Sequence, residues 1–173
     1  MKQKRIETKE RVYVMPIGNK KPGGFLLFGF RLPIWLYRMR LGWVLGERFL
    51  LLKHIGRKSG RVHQTVIEVV RHDKETDTYF VASGFGYHSD WFLNIKQYPN
   101  VTITVKQRTL SVQAKLLSKS DSAKELLNYA KRHPIAFREL SMILSGKSIE
   151  ATEDSCRQFA EATPIVAFES NKP

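Results

Sequence analysis

Phe49-Leu50-Leu51-Leu52-Lys53-His54-Ile55-Gly56-Arg57-Lys58-Ser59-Gly60-Arg61-Val62-His63-Gln64-Thr65-Val66-Ile67-Glu68-Val69-Val70 reads as two apolar runs joined by a basic loop bracketed by glycines. Leu50 to Leu52 leads in, and Val66 to Val70 is rich in the β-branched residues that fit a pleated surface. Gly56 and Gly60 give the backbone freedom to take positive φ and to come close to a ligand. The segment therefore reads as two strands with a tight connection between them. Arg57 and Lys58 beside the Ser59 hydroxyl suit a phosphate or a carboxylate. The same residues also make an ordinary β-turn with solvated charges, and the loop alone leaves both readings open.

Outward from this hairpin the chain reads mainly as strands. Arg48 to Ile55 and Val62 to His72 are the first two, Asp73 to Asp77 is a polar turn, and Thr78 to Ser83 is the third. Val101 to Val105 alternates cleanly, as does Leu110 to Leu116, and Lys106-Gln107-Arg108 joins them as a hairpin turn. Ile165 to Phe168, after Pro164, reads as a closing strand. Short helices fall between. Ser89 is placed to cap one that Pro99 ends. Asp121 to Lys131 carries Ser122 and Glu125 at capping-box spacing. Pro134 starts a helix to about Leu144, and Glu153 to Ala160 is another. Strands at short intervals with inserted helices predict an α+β, mainly β architecture, a small barrel capped by helices. Regular βα alternation is missing, which argues against a doubly wound sheet.

The chain has 173 residues, enough for one domain with a sizeable core. Its net charge of +13 is far from balanced. Nucleic acid, an anionic membrane surface or a polyanionic small molecule would each account for such an excess. Residues 1–22 form a basic arm, with Lys2, Lys4, Arg5, Lys9, Arg11, Lys20 and Lys21 against Glu7 and Glu10, and Pro22-Gly23-Gly24 separates it from a single domain over 23–173. Between Phe25 and Gly46, large apolar residues mix with Arg31, Arg38 and Arg40, and Pro33 suits the first turn of a helix. Such a helix either caps the barrel or lies at a membrane interface; burial within the chain is the commoner fate. The expected location is the cytoplasm, with residues 1–45 offering a peripheral contact to the inner face of the cell membrane. No uncharged stretch approaches the ~20 residues that span a bilayer. The one cysteine, Cys156, excludes an internal disulfide framework and reads as structural.

Several chemistries find no support. There is no Walker loop, no GxGxxG turn and no recognisable Ser-His-Asp order. His54, His63, His72, His88 and His133 are scattered without metal spacing and read as surface or core residues. Trp35, Tyr37 and Trp91 interleave with basic residues, as in stacking platforms for single-stranded nucleic acid, but no nucleic-acid motif accompanies them.

Three segments in order carry a more specific signal. Gly56-Arg57-Lys58-Ser59-Gly60 is followed by Val81-Ala82-Ser83-Gly84, then by Trp91-Phe92-Leu93-Asn94-Ile95 with Pro99-Asn100-Val101. This order resembles the deazaflavin (F420)-dependent nitroreductase family of the flavin/deazaflavin oxidoreductase superfamily. Pro164-Ile165-Val166-Ala167-Phe168 is similar to that family's closing strand. The resemblance implies a split β-barrel of the FMN-binding type and coenzyme F420, with FMN as the alternative cofactor. The tail of F420 bears a phosphate and several glutamates, a polyanion that matches the excess charge. By position, Arg57, Lys58 and Ser59 would hold that tail. His63, Gln64, Thr65 and Val66, with Val81, Ala82, Ser83 and Gly84, would line the cofactor, and Trp91 and Asn94 would close over it. The implied reaction is hydride transfer from the reduced cofactor to an electron-poor acceptor such as a quinone, an enone or a nitro compound. No catalytic acid is assigned; Tyr87 and His133 are the candidate proton donors by position. The chain departs from the family pattern at Val62-His63-Gln64-Thr65-Val66-Ile67, where an arginine and a proline are usual, and at Phe85-Gly86-Tyr87. The alternative reading is a non-catalytic barrel that binds flavin, haem or lipid.

Overall fold

The computed structural model describes residues 46–84, 86–145 and 148–170. The basic arm over 1–22, its boundary at residue 23 and the helix expected from Pro33, all but its last residue Gly46, lie outside these residues, as does the membrane contact assigned to 1–45.

Backbone pairing closes the sheet. The strands are β1 (Phe49–Ile55), β2 (Val62–Asp73), β3 (Thr78–Ala82), β4 (Asn100–Val105), β5 (Arg108–Leu116) and β6 (Ile165–Ser170). Their order is β1-β2-β3-β6-β5-β4, and β4 returns to β1 through Leu51 opposite Thr104 and Lys53 opposite Thr102. All six pairings are antiparallel. Closure leaves no open edge to template aggregation. The helices are α1 (Asp90–Gln97), α2 (Lys119–Arg132), α3 (Pro134–Ser145) and α4 (Glu153–Ala162), with a 3-10 turn at Gly86–His88 before α1. No described helix is long and apolar enough to cross a membrane.

The period-2 pattern explains the barrel core. Leu50 and Leu52 of β1, Val101, Ile103 and Val105 of β4, Val112 of β5 and Val166 and Phe168 of β6 all point inward. Phe92 and Ile95 of α1 join the same core, so α1 is anchored to the barrel by its apolar face. Burying a side chain such as Phe92 stabilises by about 1.5–3 kcal/mol. A second core lies outside the barrel. Val70 of β2 and Ile165 of β6 meet Leu126, Tyr129 and Ala130 of α2, Phe137 of α3, and Cys156, Phe159 and Ala160 of α4. Strand β6 is thus covered on both faces, which is why Ile165 to Phe168 is apolar without alternation. Cys156 is fully buried, and burial pushes its thiol up to about 11, as suits a structural role.

Three local expectations are corrected. The β4–β5 turn is the two residues Lys106 and Gln107, because Lys106 takes a positive φ of 54° and Arg108 already pairs with Val105. Helix α2 begins at Lys119 and is capped by Ser118, whose side chain accepts from the Asp121 N–H. Ser122 is buried within the helix, and Glu125 makes a two-point ion pair with Arg71, at 2.9 Å to both Nε and Nη2. Ser89 occupies the cap position of α1 but makes no capping hydrogen bond; its hydroxyl is engaged elsewhere.

Candidate functional site

One end of the barrel gathers the β1–β2 loop, the end of β3 and the start of α1. The loop is folded on itself by two backbone bonds: Gly56 N–H donates to Arg61 O, and Gly60 N–H donates to Gly56 O, both at 2.8 Å. Gly60 has φ +64°, a conformation a side chain would strain. At Gly56 a Cβ would fall 2.6 Å from His63 Nε2 and 2.7 Å from Ser59 Oγ. The missing side chain lets Ser59 Oγ and His63 Nε2 meet at 3.3 Å, and Arg61 N–H also reaches Ser59 Oγ.

Arg57 turns toward α1 rather than outward. Its backbone N–H and its Nη1 both donate to Asn94 Oδ1 at 3.0 Å, and Nη1 also reaches Asp90 Oδ1 at 3.0 Å. Nε and Nη2 make no hydrogen bond among the described residues. Asn94 is buried, and its Nδ2 donates to His54 Nδ1 at 3.1 Å. His54 is buried and stacks on His63 with ring centroids 5.9 Å apart. Burial, and then the neighbouring His63, push the His54 imidazole down to about 4, against a smaller opposing pull from Asp90. His54 is therefore neutral near pH 7.

The β3 end is locked by short side chains. Val81 lies in the barrel core, Ala82 packs toward the helical layer and Gly84 is half-buried. Ser83 is fully buried; its N–H donates to Pro164 O at 3.0 Å and its Oγ to Gly86 O at 2.7 Å. With its one proton so used, Ser83 Oγ accepts from Ser89 Oγ at 2.8 Å. That bond is what takes Ser89 away from capping. Trp91 and Tyr87 are half-buried, each with its ring at 87° to Phe92. On β2, Gln64, Thr65 and Val66 are half-buried opposite Lys53, Leu52 and Leu51.

The residues named from sequence thus fall largely together, with two distinctions. His133 stands apart, exposed at the α2–α3 junction with its ring 5.4 Å from Tyr129. Arg57 is committed to α1 more than to solvent. Sequence reasoning missed His54, Asp90 and Arg61. His54 and His63 lie at equal distances from the centre of the hairpin, and that register was the signal that would have paired them. Lys58 and Arg61 are exposed, and neither has a carboxylate partner among the described residues.

A closed six-stranded antiparallel barrel, with a basic glycine-bracketed loop beside a helix at one end, defines the split-barrel class of cofactor-binding proteins. Within that class the chain belongs to the F420H2-dependent quinone reductase family, whose model matches residues 30–143. Solved structures agree on the fold. An F420-H2 dependent reductase, FDR-A, is similar at TM-score 0.50 and 17% identity, over 72% of this chain and 96% of that one. A protein of unknown function from Agrobacterium tumefaciens is similar at TM-score 0.52 and 14% identity, over 91% of this chain and 59% of that one. No match is found among curated proteins. Family membership makes the chain an oxidoreductase that uses coenzyme F420 to reduce quinone-type acceptors. The residues on hand suit that cofactor: Lys58 and Arg61 and the Nε and Nη2 of Arg57, unpaired among the described residues, form with the Ser59 hydroxyl a donor set for a phosphorylated, carboxylate-bearing tail.

Proposed function

We propose that the F420 site is built on the 56–61 loop, the start of β2 and the end of β3. Lys58, Ser59 and Arg61 receive the anionic tail, and Arg57 ties the loop to α1 while keeping part of its guanidinium for the same anion. His63, Gln64, Thr65, Val66 and Gly84 form the wall, backed by Val81, Ala82 and Ser83 of the β3 end, and Trp91 closes it. When bound in reduced form, F420 supplies the hydride for a quinone-type acceptor. The protein positions, excludes water and delivers the proton that completes the hydroquinone. Tyr87 is the better-placed proton donor of the two candidates, because it adjoins α1 at the site end while His133 lies in the helical layer.

The observation that carries this reading is the pair Lys58 and Arg61, uncompensated among the described residues, on a loop otherwise fixed by hydrogen bonds. Titrating F420 fluorescence against wild type and a Lys58→Ala/Arg61→Ala variant tests it. The variant is expected to bind about tenfold or more weakly, with a shallower salt dependence, and to melt with wild type because both side chains are exposed. Equal affinity for F420 would overturn the assignment. Tighter binding of FMN than of F420 by wild type would favour the flavin alternative.

Peripheral contact of residues 1–45 with an anionic membrane belongs to the same proposal, supported by the clustered lysines and arginines of the arm. Co-sedimentation with phosphatidylserine vesicles, with and without residues 1–30, tests it; equal binding by both forms would count against the arm.

A further inference from the structure

The Asn94 amide is held by three hydrogen bonds with two residues, and their chemistry fixes its orientation. Arg57 N–H and Arg57 Nη1 both converge on one terminal atom of the amide at 3.0 Å. Both are donors, so that atom is Oδ1 and the other is Nδ2, which donates. The acceptor it meets is His54 Nδ1 at 3.1 Å. His54 therefore carries its lone pair on Nδ1 and its proton on Nε2. A proton on Nδ1 would set N–H against N–H. Relieving that clash by flipping the amide would turn Nδ2 toward the two Arg57 donors. Either way Arg57 loses its anchor, and Arg57 N–H is the first amide beyond Gly56. The charged and titratable groups around His54 are His63 on β2, Asp90 on α1 and Arg57 in the loop. Burial keeps the imidazole neutral near pH 7, which is the form this chain of bonds needs.

We propose that His54 is a positioning residue for the F420 tail. As a neutral acceptor it orients the Asn94 amide, Asn94 pins Arg57, and the 56–61 loop is thereby held ready for the anion. This rests on the F420 site proposed above, but its test has arms that need no cofactor.

The variants are His54→Leu, which has no acceptor, and His54→Asn, whose side-chain oxygen falls near the place of Nδ1. In cofactor-free protein, trypsin cleavage after Arg57, Lys58 and Arg61, followed by mass spectrometry, reads the freedom of the loop. His54→Leu is expected to be nicked there about tenfold faster than wild type, and His54→Asn at close to the wild-type rate. With F420, His54→Leu is expected to raise Kd and cofactor KM about tenfold while kcat at saturation holds, and His54→Asn to restore both. Wild-type affinity should weaken more steeply than that of His54→Asn as the pH falls toward about 4, since protonation of the tail's own carboxylates is common to both. The tautomer is read in wild type alone by ¹⁵N NMR of the histidines. A protonated Nδ1 on His54 at neutral pH overturns the proposal, as does loop cleavage that is equal in wild type and His54→Leu. Parallel losses in His54→Leu and His54→Asn also overturn it. If wild type shows the cleavage pattern but binds no F420, the loop-anchoring role stands and the cofactor site falls. If F420 binds and depends on Lys58 and Arg61 but not on His54, this inference alone falls.

Discussion

His54 makes the stability of the fold depend on pH in a way one substitution isolates. Its imidazole falls from an ordinary 6.5 to about 4 in the folded protein. The folded state therefore refuses a proton that the unfolded chain accepts. A group with a depressed folded pKa contributes stability that is full above the unfolded value and is lost as pH falls through the folded value. The fall from 6.5 to about 4, at about 1.36 kcal/mol per pH unit, makes the whole effect ~3 kcal/mol. Between about pH 7 and pH 5 the loss from this one group is ~2 kcal/mol. The assay is urea denaturation of wild type and His54→Asn at about pH 7, 6, 5 and 4.5, with stability plotted as a difference between the two. Glu47, Asp73 and Asp121, whose carboxyls are held low by their partners, occur in both proteins and cancel in that difference. The expected result is a gap that shifts by about 2 kcal/mol against wild type between about pH 7 and pH 5. Parallel curves would refute the reasoning, since they would mean that His54 binds its proton as readily folded as unfolded.

Three further outcomes follow from local geometry. Gly86 has φ +63° and a Cβ there would lie 2.6 Å from the Ala162 carbonyl oxygen; Gly86→Ala should cost about 2–5 kcal/mol, read as a thermal midpoint lowered by roughly 5–15 °C. Ser118→Ala should cost about 1 kcal/mol in chemical denaturation, while Ser122→Ala stays within about 0.5 kcal/mol, because only Ser118 caps α2. Gly56→Ala would press on two side-chain ends that can swing away, His63 Nε2 and Ser59 Oγ; calorimetry should show a loss of ~1 kcal/mol, smaller than that of Gly86→Ala, while F420 titration shows a marked fall in affinity.

Much of the barrel was legible because its signals are local. Val101 to Val105 alternates in sequence and alternates in burial, and the 49–70 hairpin pairs in register from Phe49 opposite Glu68 to Ile55 opposite Val62. Capping choices were less legible. Ser118 and Ser122 each stand three residues before an acid, so local spacing offers two starts for α2. The choice follows Glu125, which is held by Arg71, 54 residues away in the chain. Ser89 holds the expected cap position without the capping bond for the same kind of reason: its partner, Ser83, belongs to the preceding strand end.

By itself, the sequence determined the strands, the basic loop and the family motifs, because hydrophobic period, glycine placement and residue order are properties of neighbouring positions. The tertiary structure alone decided what the loop's residues do. Arg57 reaches Asn94 across 37 residues, and Asn94 reaches His54 across 40. Those contacts exist only because Phe92 and Ile95 seat α1 in the barrel core beside β1. Burial then turns a histidine that reads as unremarkable into a neutral acceptor, and an arginine that reads as a free cation into a tether.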